Sequence, residues 1–88
     1  MLLKRVCALS DIGLMVRARR RAQSLRIDDA AALCGVSVDL LSRLENAQGA
    51  VRLDKLLKVL DGLGLALVVG PKDDPGMPAV TPSPVGPT

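Results

Sequence analysis

Residues 28–46 constrain this chain most, because they hold two short helical patterns separated by a three-residue break, Gly35-Val36-Ser37. The first pattern runs Asp28-Asp29-Ala30-Ala31-Ala32-Leu33-Cys34 and opens on two acids, which suit the positive end of a helix dipole. Gly35 supplies a left-handed residue to end it, and Ser37 is a good N-cap for a second helix from Val38 to about Asn46. In that second helix Leu40, Leu41 and Leu44 share the inward face. Val38, Asp39, Ser42 and Arg43 then fall largely on the outer face, and Glu45, four residues after Leu41, returns to the edge of the buried one.

Upstream, Ser10 reads as an N-cap with Asp11 in the first turn of a further helix. Ile12, Val16 and Arg20 follow at steps of four and share a face. Two aliphatic side chains make that the core face, so Arg20 requires an acidic partner there, and Glu45 is the acid placed to serve. Arg17 and Arg21 belong to a different face, expected to be exposed.

Downstream, Leu53, Leu56, Leu57, Leu60 and Leu63 recur at i, i+3, i+4, i+7 and i+10, the clearest amphipathic helix in the chain. Asp54 and Lys58 form an i,i+4 pair on its outer side. Gly62 and Gly64 close it. Leu65-Ala66-Leu67-Val68-Val69 then reads as a short strand, apolar on both faces. Such a strand needs a partner, either residues 1–9 or the same strand of a second subunit. The symmetric pairing is preferred because it satisfies both edges at once.

All six prolines lie after position 70, and residues 71–88 have almost no apolar periodicity, which predicts a disordered tail. The expected organisation is an arm at 1–9, one folded domain at 10–70 and a Pro-rich tail at 71–88. Apolar residues make up 49% of the chain without a single Phe, Trp or Tyr, so the core must be aliphatic.

The net charge of +3 conceals an asymmetry, since residues 1–26 carry seven basic side chains against one acidic. A basic segment of that kind suits a polyanionic partner, nucleic acid first. No run is long enough to cross a membrane, and the N-terminus lacks the order of a signal peptide. The cytosol is the expected compartment. Cys7 and Cys34 have no metal-ligand spacing, and Cys34 fits a small buried position. With no His, no nucleophile–base pair and no Gly-rich phosphate loop, neither an enzyme nor a cofactor is expected.

Two short helices around Gly35-Val36-Ser37 have the length and turn of a helix-turn-helix, whose second helix enters the major groove of DNA. From Ile12 to Leu67 the chain resembles the Xre/Cro-type family of bacterial and phage repressors, and within it the HipB-type antitoxins. The resemblance is carried by Ile12-Gly13, Arg17, Arg20, Ala31, Gly35-Val36-Ser37 and Leu41-Ser42-Arg43-Leu44-Glu45-Asn46. It continues through Leu53-Asp54-Lys55-Leu56-Leu57-Lys58-Val59-Leu60, Leu63-Gly64-Leu65 and the strand. It implies an all-α, lambda-repressor-like bundle of four to five helices, with a short C-terminal β-strand (Leu65, Ala66, Leu67, Val68, Val69) for homodimerisation.

The resemblance also implies site roles. The family's structural ion pair falls on Arg20 and Glu45. Its base-contacting positions fall on Ser37, Val38, Asp39, Ser42 and Arg43, where Arg43 suits guanine, Asp39 the cytosine amine and Val38 a thymine methyl. Phosphate contacts are expected from Arg26, Gln48, Arg52 and Lys55, with Arg17 and Arg21 reaching the flanking backbone. The family's Thr-Gln opening of its second helix is Arg26-Ile27 here, so Arg26 would act by charge alone. Ala47 replaces a common glycine, which makes Asn46 the expected left-handed residue. The implied partners are double-stranded operator DNA, a second copy of the chain and, on the HipB side, a HipA-like kinase toxin. A free-standing regulator without a toxin, or an interaction module whose DNA face has decayed, are the alternatives.

Overall fold

A computed structural model describes residues 3–77 and contains four helices: α1 (Leu9–Ala22), α2 (Ile27–Cys34), α3 (Val38–Glu45) and α4 (Leu53–Gly62). None is long and apolar enough to cross a membrane. The expected tail beyond residue 77 lies outside the described residues.

The cap of helix α1 lies two residues before the expected one. Ala8 is the N-cap, and Ser10 is an exposed residue inside the first turn. Asp11 explains the difference. Its carboxylate accepts the backbone N–H groups of Cys7 and Ala8, each at 2.9 Å, reaching back from the first turn to hold the chain before the helix, and that sets the start at Leu9. Those two hydrogen bonds hold its pKa below the ordinary aspartate range. At the other end Ser24 takes a left-handed conformation (φ 56°), letting the Leu25 N–H return to the Arg20 carbonyl at 3.1 Å.

The turn between α2 and α3 follows the residues closely. Gly35 is left-handed (φ 72°), and the Ser37 hydroxyl accepts the Leu40 N–H at 3.0 Å. After α3 the chain turns at Ala47 (φ 54°), whereas Asn46 keeps a negative φ of −99°. The expectation for Asn46 is corrected by its side chain: the amide donates to the Ser42 carbonyl at 2.8 Å, which ties Asn46 to the helix and moves the reversal one residue on.

The core is wholly aliphatic apart from Cys34, with Val16, Leu41, Leu44, Val59 and Leu63 fully enclosed. In α4 the buried stripe is Leu56, Val59, Leu60 and Leu63. Leu53 and Leu57 lie at one edge, 61% and 44% exposed, so the leucine pattern is rotated towards Val59 relative to the sequence expectation.

Two glycines set the helix spacing. A Cβ on Gly13 would sit 2.9 Å from the Glu45 carbonyl oxygen and closer still to that of Leu44, so α1 crosses the end of α3 at backbone contact. A Cβ on Gly62 would meet Cys34 Sγ at 2.6 Å and its Cα at 2.9 Å, bringing α4 onto α2 in the same way. Arg19 Nε and Gln23 Nε2 both donate to the Leu63 carbonyl, at 2.9 and 3.1 Å. They satisfy an orphan carbonyl at the end of α4, and Arg19 brings positive charge to the negative end of that helix.

The expected strand at 65–69 is not formed. The described residues contain no β-ladder, and Ala66 to Val69 are exposed. A strand exists through its partner's hydrogen bonds, and residues 3–8 make none to this segment. The two segments instead flank an open groove of about 650 Å³, with Leu3 and Val6 on one side and Leu67 to Val69 on the other.

Candidate nucleic-acid interface

The helix-turn-helix is α2, the Gly35-Val36-Ser37 turn and α3. Ala30, Ala31 and Cys34 of α2 and Leu41 and Leu44 of α3 point into the common core. That leaves Val38 and Asp39 exposed on the opposite side of α3, with Ser42 and Arg43 partly so. An apolar valine standing 45% exposed beside polar groups is what a surface needs to meet both base edges and methyl groups.

One buried carboxylate locks α3 in place. The Glu45 side chain is 1% exposed, and its two oxygens receive Arg20 Nε at 2.7 Å and Arg20 Nη2 at 2.9 Å, a bidentate pair. Arg20 also donates through Nη1 to the Leu25 carbonyl at 3.0 Å. A single guanidinium therefore spans the approach to α2 and the end of α3. Burial by itself would push the Glu45 pKa up, but hydrogen bonding and charge from Arg20, and then from Arg17, outweigh it and leave the carboxyl below its ordinary range. Reciprocally, the hydrogen bond to Glu45 raises Arg20 against the opposing effect of its own burial.

Arg17 is not on the free face expected for it. Its Nε lies 3.3 Å from Glu45 Oε1 and its Nη2 donates to Asn46 Oδ1 at 2.8 Å, with the side chain one-third exposed. The reason is spacing: Arg17 and Arg20 are three residues apart on α1 and both reach the acid. Arg21 is exposed. The Arg17–Asn46 contact and the Arg19–Gln23 clamp are not readable from spacing along the chain. The i,i+4 spacing of Arg19 and Gln23 was readable, but the carbonyl they share is 40 or more residues away.

The other expected contacts sit at three places around α3. Arg26 is the N-cap of α2, and Arg52 is the N-cap of α4, with Lys55 in its first turn. Gln48 lies in the intervening turn, its N–H bonded to the Arg43 carbonyl at 2.8 Å. The Arg43 guanidinium lies beside Gly49, at 3.9 Å from a Cβ built there. Each arginine of this set has a nearby aspartate: Arg26–Asp28 at 3.5 Å, Arg43–Asp39 at 3.1 Å and Arg52–Asp54 at 3.1 Å. The described residues contain no cluster able to hold a metal ion.

Four helices with a Ser-capped α3 locked by a buried ion pair define a helix-turn-helix protein. The helix-turn-helix domain family matches residues 11–69, and the chain belongs to it. A relative from Sinorhizobium fredii, the uncharacterized HTH-type transcriptional regulator y4mF, is 36% identical over 64 residues, covering 73% of this chain and 84% of its own. Among solved structures, an HTH_3 family transcriptional regulator from Vibrio cholerae aligns with a TM-score of 0.61 at 28% identity over 66% of this chain. The alignment spans only 33% of that regulator. A chain of the HipA-HipB-O2-O3 complex shares the fold over its full length and 81% of this chain, with a TM-score of 0.72 at 15% identity.

Proposed function

We propose that this protein is a sequence-specific DNA-binding transcriptional repressor that reads the major groove with α3. The observation that carries this reading is the division of labour on α3. Its inner side is fixed by Leu41, Leu44 and the Glu45–Arg20 pair, while Val38, Asp39 and Arg43 stand outward with no part in the core. Ser37, Val38, Asp39, Ser42 and Arg43 are the base-reading set, and Arg26, Gln48, Arg52, Lys55 and Arg21 hold the phosphates. Arg17 reaches phosphate only by leaving Asn46.

The test is pull-down of genome fragments followed by sequencing, with the protein's own promoter included. Arg43→Ala is expected to alter which sequences are recovered. Arg52→Ala should weaken all sequences alike and reduce the salt slope by about one. An unchanged sequence preference in Arg43→Ala would remove α3 from the reading role.

A finer reading makes the protein the autoregulatory antitoxin of a HipBA-like pair, with a HipA-like kinase as partner. It is supported by the end-to-end likeness of fold to a chain of the HipA-HipB-O2-O3 complex. Co-purification with the product of the adjacent gene tests it, and a free-standing regulator is the reading if nothing co-purifies. In either case the protein acts as a homodimer in which residues 65–69 of two chains supply each other's missing ladder. The groove between the two terminal segments supports that arrangement, since its walls present exposed Leu67, Val68 and Val69.

A further inference from the structure

We propose that Asp28, Asp39 and Asp54 are tethered counter-ions of the nucleic-acid face, holding its general affinity for DNA low so that binding depends on the right sequence. The inference rests on the DNA-binding reading above and concerns how that face discriminates. Its basis is a repeated pairing. Arg26, Arg43 and Arg52 approach the face from three elements, and each is matched by an aspartate two or four residues away, at 3.5, 3.1 and 3.1 Å. With Lys55 and Arg21, the five cations and three aspartates leave a net charge of only +2 where a phosphate-binding surface would ordinarily gather more.

The three elements belong to one region. Arg20 bonds both the Leu25 carbonyl and Glu45, which holds the start of α2 close to the end of α3. Arg43 lies beside Gly49, in the turn that leads to Arg52. These pairs differ in kind from the one beneath them. Glu45 is enclosed, whereas all three aspartates are more than half exposed, so water already weakens their hold and a phosphate can displace them at little cost. What remains after displacement is repulsion between each aspartate and the incoming phosphate.

That repulsion sets the expected effect. Two unit charges about 7 Å apart in water interact by roughly thermal energy, a factor of about three in affinity for each aspartate. Base contacts offset it only at sequences that engage Arg43, and only there does Asp39 find a donor such as the cytosine amine. On other DNA the penalty stands.

The same geometry also accounts for an acid on α3 at all. Asp39 accepts from Arg43 Nε, which leaves the terminal nitrogens of the guanidinium available for the two acceptors of guanine.

The experiment measures fluorescence anisotropy of a labelled duplex of about 20 bp and arbitrary sequence against NaCl concentration, for the full chain and for Asp28→Asn/Asp39→Asn/Asp54→Asn. A slope of log K against log salt near −2 is expected for the original and near −5 for the variant, with about 20- to 30-fold tighter binding at low salt. Asp61→Asn is the control. It removes the same charge at the far end of α4, where no ion pair is formed among the described residues. Circular dichroism shows whether the variants keep their helices.

A steep slope already present in the original chain and unchanged in the triple variant overturns the counter-ion role while leaving DNA binding intact. An equal gain in Asp61→Asn also overturns it, because the effect would then be one of overall charge. If neither protein binds the duplex at any salt concentration, the DNA-binding reading fails and takes this inference with it.

Discussion

Replacing Glu45 by Gln removes one charge and leaves the shape of the side chain almost unchanged, so it isolates what the buried carboxylate does. In the native protein Glu45 accepts three hydrogen bonds, two from Arg20 and one from Arg17. A glutamine amide offers one acceptor oxygen and turns two N–H donors towards guanidinium donors. Arg20, only 12% exposed, then keeps its charge in the interior without an anion. Breaking a buried pair from one side costs about 3–5 kcal/mol, and the partial exposure of Arg17 favours the lower end, about 3 kcal/mol. For a domain of this size that corresponds to a fall in Tm of about 12–24 °C.

Thermal unfolding followed at 222 nm checks this directly, and its pH dependence supplies a second reading. The folded pKa of Glu45 is lowered, so its contribution is complete above the unfolded value of about 4.3 and is lost as pH falls through the lower folded value. The native protein should therefore lose stability on acidification below about pH 4.3, and Glu45→Gln should lack that component. A Tm drop of less than about 4 °C, or an unchanged acid limb in the variant, would refute the reasoning. Arg20→Met/Glu45→Met should recover much of the loss, because an apolar pair of similar volume leaves no stranded charge.

Gly13→Ala should destabilise by about 2 kcal/mol although alanine favours helices, because its Cβ meets two backbone carbonyl oxygens that cannot rotate away; denaturant melts check it, and a stabilised variant would contradict the close crossing. Native protein should react with a thiol reagent at Cys7 only, since Cys7 is exposed, while burial raises the Cys34 pKa and encloses its sulfur; rapid labelling of both thiols would contradict the packing of α2 on α4. Deleting residues 65–69 should convert dimer to monomer in light scattering, and a dimer that survives the deletion would place the subunit contact elsewhere.

Wherever local spacing decides the outcome, the chain was legible. Gly35 and Ser37 fix the turn by their own conformational and hydrogen-bonding chemistry, and they do so in the structure. Arg20 and Glu45 could be matched because a charged residue on a core face demands an opposite charge. Legibility failed where a more distant group competes. Asp11 captured the start of α1 from Ser10, and the Asn46 amide passed the left-handed turn to Ala47. Periodicity places Arg17 outward because it describes the face of one helix and not the reach of a long side chain to another. The strand expected at 65–69 shows a different limit: its residues favour extended chain, but a ladder also needs a partner, and no β-ladder forms there among the described residues.

The crossing of α1 over α3 has an evolutionary consequence. Because Gly13 meets main-chain atoms at the end of α3, the aim of that helix rests on this backbone contact and on the Arg20–Glu45 pair, not on its outward side chains. None of Val38, Asp39 or Arg43 contributes to the core or to the Arg20–Glu45 lock. Substitutions at these positions can therefore accumulate without loss of the fold. On the proposed reading, the outer face of α3 can change its target while the scaffold stays the same, and an outer face transplanted from a related helix-turn-helix chain should arrive correctly oriented.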